Sequence, residues 1–174
     1  FSAMGWDTVT PIPTYVKVTN GYEDASASGA EYPLQVMNPH YLRRAHSVFD
    51  NIGWLREAWT NPVFISTADA EAAGVSDGDT VLVSSPYGQC VRNACVYAGL
   101  MPGVVALPHG AWVAVDEETG IDAAGADNYL TGPAPNGQGV SGYNSALCKI
   151  EKYTGEALAP DAEQPLRIVC KDGE

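Results

Sequence analysis

The sequence predicts a mainly β domain, a closed barrel carrying a few short helices. Its apolar residues fall in short runs rather than long periodic ones, and roughly seven of those runs read as strands. Between them lie 18 glycines and 12 prolines in 174 residues, more than the average usage of about 12% for the pair. Many short strands separated by tight turns favour a barrel over an open parallel sheet.

Residues 1–31 form an irregular arm or linker on this reading, and residues 32–174 form the domain. Pro11, Pro13, the Asn20-Gly21 turn and the small residues 25–30 argue against a packed element in the arm. The opening Phe1-Ser2-Ala3-Met4 reads as a piece cut from something longer. Leu34-Gln35-Val36-Met37 alternates like a strand and stops at Asn38-Pro39. A helix is expected next: Ser47 and Asp50 have capping-box spacing, and Val48, Ile52, Leu55 and Trp59 recur at helical intervals. Val63-Phe64-Ile65 is a short buried strand. Ser66 and Asp69 cap a second helix through Ala73, stopped by Gly74. Strands follow at 80–84, 89–97, 104–107, 147–150 and 166–169, turning at Asp77-Gly78, Tyr87-Gly88 and Pro102-Gly103.

The formal net charge is -12, from 21 acidic and 9 basic side chains, with 45% hydrophobic residues. That composition builds a core, and it lacks the basic face that nucleic-acid phosphates or an anionic membrane require. The longest stretch without Lys, Arg, Asp or Glu runs from Asn93 to Val115, but Pro102, Gly103, Pro108 and Gly110 interrupt it, so no membrane span is expected. Cys90, Cys95, Cys148 and Cys170 match neither a zinc ribbon nor a thioredoxin-type motif and read as core or surface thiols.

Hydrolytic chemistry finds little support. His46 and Ser47 are adjacent, so their side chains point apart, and no G-x-S-x-G elbow occurs. His40, His46 and His109 show no i, i+4 spacing, so no protein-bound metal is expected. Asp116-Glu117-Glu118 reads as a solvated turn. Two segments are more informative. Arg43, Arg44 and His46 make the only dense cationic patch and precede the expected Ser47 cap; a helix start with a guanidinium makes an anion site, or these cations merely offset Asp50 and Glu57. The run from Asn128 to Cys148 carries no charged side chain but is rich in Gly, Asn, Gln, Ser and Tyr, as a neutral heterocycle would need, or as a surface loop would show. Together they suit a nucleotide-like ligand. Neither G-x-G-x-x-G nor G-x-x-x-x-G-K-[ST] is present, so it would be held by another scheme.

Several stretches resemble one family in order and spacing over residues 32–153: Tyr32-Pro-Leu-Gln-Val, His40-Tyr-Leu-Arg-Arg-Ala-His-Ser47, Asp69-Ala-Glu-Ala-Ala-Gly-Val-Ser-Asp-Gly-Asp-Thr-Val81, Pro102-Gly-Val-Val-Ala-Leu107, Gly110-Ala-Trp112 and Asn128-Tyr-Leu130. The chain resembles the C-terminal molybdopterin dinucleotide-binding domain of the dimethyl sulfoxide reductase family, most nearly anaerobic dimethyl sulfoxide reductase catalytic subunits. The resemblance implies a six-stranded double-psi β-barrel with a few short helices. It also implies bis-molybdopterin guanine dinucleotide with molybdenum as cofactor of the full-length protein, and reduction of a small S- or N-oxide as the parent activity.

By position it implies that Arg44, His46 and Ser47 face the pterin or pyrophosphate, that Asn128 hydrogen-bonds a cofactor ring, and that Tyr143 and Asn144 contact the second cofactor copy. Residues 109–112 would line the same face. The molybdenum ligand and the iron-sulfur cysteines belong to other domains of such subunits, so no catalytic residue and no metal ligand is expected in this chain. The implied partners are those domains, an iron-sulfur subunit and a membrane anchor, and the implied location is extracytoplasmic after twin-arginine export. The sequence departs from the family at Ser66-Thr67, where Asn-Pro is common, and at Gly125-Ala126, where paired glycines are usual. The alternative is a barrel of the same kind used as an interaction or substrate-recognition module without cofactor. A self-processing decarboxylase would need a Gly-Ser bond, and none occurs.

Overall fold

Strand pairing decides where the functional loops end up. The computed structural model describes residues 2–5, 7, 9–135, 140 and 145–156. Its strands are β1 (Leu34–Met37), β2 (Pro62–Ile65), β3 (Thr80–Ser84), β4 (Gln89–Val96), β5 (Val104–Ala106) and β6 (Ala146–Lys152). They close into a barrel in the order β1-β5-β2-β4-β3-β6. Two pairs are parallel, β1 with β5 and β2 with β4, and the other four are antiparallel. This is the six-stranded barrel the resemblance implied. The seventh strand expected at 166–169 lies outside the described residues.

Alternation along the strands fills the interior. Leu34, Val36, Val63, Ile65, Val81, Val83, Cys90, Val105, Cys148 and Ile150 are all buried in one apolar cluster, while Gln35, Met37, Phe64 and Leu82 between or beside them are more exposed. Closure leaves no free sheet edge. The short helix α3 (Thr67–Ala73) forms as the sequence indicates: the Ser66 hydroxyl accepts the Asp69 N–H at 3.1 Å, and Gly74 ends the helix at φ 65°. Residues 9–21 hold only bends and turns, followed by the single-turn α1 (Tyr22–Ala25). Asp116 turns the chain as expected, its carboxylate accepting from both the N–H and the hydroxyl of Thr119. Among the described residues no helix is long and apolar enough to cross a membrane.

The helix expected to begin at Ser47 does not begin there. Its observed form, α2, spans Gly53–Ala58, with Ile52 at its cap position and no side-chain cap. Ala45 and Val48 instead exchange backbone hydrogen bonds of 3.1 and 2.9 Å, and His46 and Phe49 take positive φ of 51° and 76°. Asp50, which the capping reading sends back to Ser47, is drawn to Arg43 and Arg44. Two guanidiniums outcompete one backbone N–H for a carboxylate. Ser47 therefore sits on a tight turn, without the run of free N–H groups a helix start would offer.

Cys90 and Cys148 are core residues, Cys95 is partly exposed, and Cys170 lies outside the described residues. Burial pushes the Cys90 thiol up to about 12 and also raises Cys148, while Cys95 is raised by partial burial and by Asp77. Thiolate, the reactive species, is thus suppressed. Iodoacetamide applied to the native chain at about pH 8 is expected to leave Cys90 and Cys148 unmodified and to alkylate both after urea unfolding; peptide mass mapping reads the result site by site.

Candidate functional site

Because β1 and β5 run parallel, the segments leaving their C-terminal ends travel side by side. Leu107 N–H donates to Met37 O at 2.8 Å and His109 N–H donates to Pro39 O at 3.2 Å, so 38–40 and 107–110 form one paired rim. The 3-10 turn Asp127–Leu130 fastens to it through a buried carboxylate: Asp127 accepts from Gly110 N–H at 2.9 Å and from Asn38 Nδ2 at 3.1 Å. The turn at 45–48 completes the ring, with Trp112 Nε1 donating to Ser47 O at 2.9 Å.

These four segments surround a cleft of about 700 Å³ lined by Asn38, His46, Ser47, His109, Gly110, Asp127, Asn128 and Thr131. Its lining is almost uncharged. Only Asp127 carries a carboxylate, and both its oxygens already accept hydrogen bonds. His46, Ser47 and Asn128 are exposed and present imidazole, hydroxyl and amide groups. Gly110 is obligatory here: its φ is 90°, and a Cβ would stand 1.9 Å from His46 O. Only glycine lets these two walls approach so closely.

The two arginines of the cationic patch are buried behind the cleft, while His46 lines it. The Arg44 side chain is wholly buried: Nη1 lies 3.0 Å from Asp50, Nε donates to His109 O at 2.8 Å, and Nη2 donates to Asn61 Oδ1 and Pro108 O at 2.8 and 2.9 Å. Arg43 Nε stands 2.9 Å from the same Asp50 oxygen but is not aligned to hydrogen-bond with it. Asp50 also accepts Trp112 N–H at 3.1 Å. Arg92 approaches from the other side, donating to Gly125 O, Pro62 O and Pro108 O. It is fully enclosed, and burial lowers its pKa to about 10. The Pro108 carbonyl therefore receives two guanidiniums, which fix the peptide leading into His109.

Of the residues singled out from sequence, His46, Ser47 and Asn128 meet in the cleft, although about 80 positions separate the two segments. His109 and Gly110 line it too, while Ala111 and Trp112 are not among its lining residues. Arg44 does not reach it; its guanidinium is consumed by Asp50, Asn61 and two carbonyls, the arrangement in which it offsets Asp50. Tyr143 and Asn144 lie outside the described residues. Thr131 falls within the charge-free 128–148 run; Asn38 and Asp127 escaped the sequence reading, as did the meeting of His40, His46 and His109, whose ring centroids lie 4.5–5.1 Å apart. The parallel pairing of β1 with β5 brings them together, and hydropathy does not report strand partners.

Comparison with known proteins agrees with this geometry. Residues 34–146 match the family model described as "Molydopterin dinucleotide binding domain". The chain is 35% identical over 147 residues to "Probable dimethyl sulfoxide reductase chain YnfF" of Escherichia coli (strain K12), covering 83% of this chain and 18% of that one. It is 33% identical over 162 residues to "Dimethyl sulfoxide/trimethylamine N-oxide reductase" of Cereibacter sphaeroides, covering 87% and 19%. The chain thus spans under a fifth of the length of these curated relatives. Among solved structures, acetylene hydratase from Pelobacter acetylenicus superposes with a TM-score of 0.66 at 21% identity, over 88% of this chain and 22% of that one, and so shares the fold. The barrel, the cleft at its parallel rim and the match over 34–146 together place this chain in the Molydopterin dinucleotide binding domain family, as the form of that domain carried by the dimethyl sulfoxide reductase family.

Proposed function

We propose that this chain is the part of a molybdenum oxidoreductase that holds bis-molybdopterin guanine dinucleotide, in a parent enzyme reducing a small S- or N-oxide, with His46, Ser47 and Asn128 touching the cofactor. The observation that carries the reading is the near-neutral polar cleft in which those three residues converge. Its chemistry fits the group. Amide, hydroxyl and imidazole donors and acceptors match the edges of a fused heterocycle, and the glycine at 110 lets the 46–47 backbone close against the rim without a side chain intruding. When bound, the cofactor carries the molybdenum and passes electrons to it.

The chain's own residues bind and orient. His109 donates its Nδ1–H to Asn38 O at 3.3 Å, which leaves Nε2 to accept from His46 Nδ1 at 3.1 Å on the cleft wall. Asn128 offers both a donor and an acceptor from one amide, and the Ser47 hydroxyl can rotate to serve either role. Arg44, Arg92 and Asp50 hold the 108–110 backbone in place and act as positioning residues. Tyr143 and Asn144 are assigned to the second cofactor copy. The remaining domains of the same catalytic subunit, an iron-sulfur subunit and a membrane anchor complete the proposed assembly, located outside the cytoplasm after twin-arginine export. Residues 1–31 serve as the arm joining residues 32–174 to the preceding domains.

The test uses the full-length subunit. Asn128→Ala and His46→Ala should each reduce bound molybdenum and releasable guanine nucleotide, about tenfold in retention for the loss of a hydrogen bond near 1.4 kcal/mol. Elemental analysis and nucleotide release, with unchanged circular dichroism, read the outcome. Full retention in both variants would leave the barrel as an interaction module.

A further inference from the structure

We infer that His40, His46 and His109 form a binding site for a divalent transition-metal ion in the cofactor-free chain. The three rings come from the end of β1, the 45–48 turn and the end of β5, and one nitrogen from each lies within 4.8 Å of the others. His109 Nε2 is 3.1 Å from His46 Nδ1. An ion bound at about 2.0–2.1 Å in tetrahedral geometry needs its nitrogens about 3.4 Å apart, so small ring movements suffice.

The supporting shell has the form such sites use. The second nitrogen of His109 faces the backbone carbonyl of Asn38, which fixes the tautomer and leaves Nε2 as the ligand atom. The backbone of that same residue is anchored twice, by its N–H on Pro39 O and by Arg44 on its carbonyl. His46 is held at φ 51° by the turn and by the close approach of Gly110. His40 and His46 are exposed, so an ion has a path in, and among the described residues no fourth His, Cys, Asp or Glu joins the three. Three imidazoles favour zinc, copper or nickel over calcium or magnesium. This centre is separate from the molybdenum, whose ligand is expected in other domains.

His46 and His109 also line the cleft, so the ion and the cofactor exclude one another, and a bound ion holds the apo domain shut against loading. That exclusion rests on the cofactor reading above; the ion site itself does not. His40 separates the two, because it is a ligand without lining the cleft.

Calorimetric titration of the cofactor-free 174-residue chain with zinc chloride should show one ion per chain, and cobalt(II) should give the visible bands of a tetrahedral centre. His40→Ala, and independently the size-preserving His40→Gln, should weaken zinc binding at least about tenfold, since even outer-shell losses cost that much. Zinc binding that survives both substitutions unchanged belongs to surface carboxylates and overturns the site, as does the absence of saturable binding. For the exclusion, cofactor-free full-length subunit preincubated with zinc should take up less molybdenum, and His40→Gln should restore uptake; equal uptake with and without zinc overturns it. Asn128→Ala distinguishes the two readings: it should reduce cofactor retention while leaving zinc affinity unchanged.

Discussion

Asp50→Ala is expected to destabilise the chain by about 3–5 kcal/mol, the cost of leaving buried charge without its partner. Asp50 is only 2% exposed and is the shared counter-ion of Arg43 and Arg44 as well as the acceptor for Trp112 N–H. Removing it strands two guanidiniums in the interior. Burial already pulls the pKa of Arg43 below its ordinary value, with Asp50 as the largest influence acting against that shift. Against a typical total of about 5–15 kcal/mol, such a loss is severe. Urea denaturation of the wild type and variant measures it. Asp50→Asn keeps the shape and one acceptor and should recover the Trp112 contact but not the charge, falling between the two. A loss below about 1 kcal/mol, the level of an exposed pair, would show that the cluster is solvated rather than buried.

Gly110→Ala is the second large effect, at about 3 kcal/mol. A left-handed backbone costs an alanine roughly 1–2 kcal/mol, and forcing a methyl group into packed atoms adds about 1–3. Here the methyl would meet His46 O at 1.9 Å and Ser47 N at 2.9 Å, both backbone atoms with no rotamer to yield. Gly103→Ala is the internal control: its φ is 81°, but nothing lies within 4 Å of the added carbon. It should show only the conformational cost. If the two variants melt alike, the close approach of the 46 and 110 backbones is not a constraint. If they differ as expected, the Gly110 variant should also separate the imidazoles of His46 and His109, visible as changed ring resonances.

Local features of the barrel were legible because their causes are local. The alternating residues at 34–37, the apolar run at 81–83, the Ser66 cap and the Gly74 stop are all nearest-neighbour effects, and the structure shows each of them. The helix expected at Ser47 starts at Gly53 instead for a non-local reason. The Asp50 carboxylate that suggested a capping box answers to guanidiniums and to Trp112, which is 62 residues away. Arg44 likewise looked like an anion ligand until the fold supplied carbonyls at 108 and 109 for its N–H groups. His46, Ser47 and Asn128 could be picked out by chemistry, and the family resemblance grouped them. Asn38, Asp127 and the histidine trio depend on which strands lie side by side, and strand order 1-5-2-4-3-6 leaves no trace in composition.

The position of β6 in the barrel has a consequence for timing. It is the last described strand, yet it pairs with both β1 and β3 and so joins the two ends of the sheet. Until residues 146–152 leave the ribosome, β1 has β5 alone as a neighbour, and the rim carrying 38–40 hangs on an unfinished edge. The cleft is lined by residues between Asn38 and Thr131, yet the barrel that holds its rim closes only through 146–152. A chain truncated before residue 146 is therefore expected to lose the barrel together with the cleft, read as loss of a cooperative urea transition.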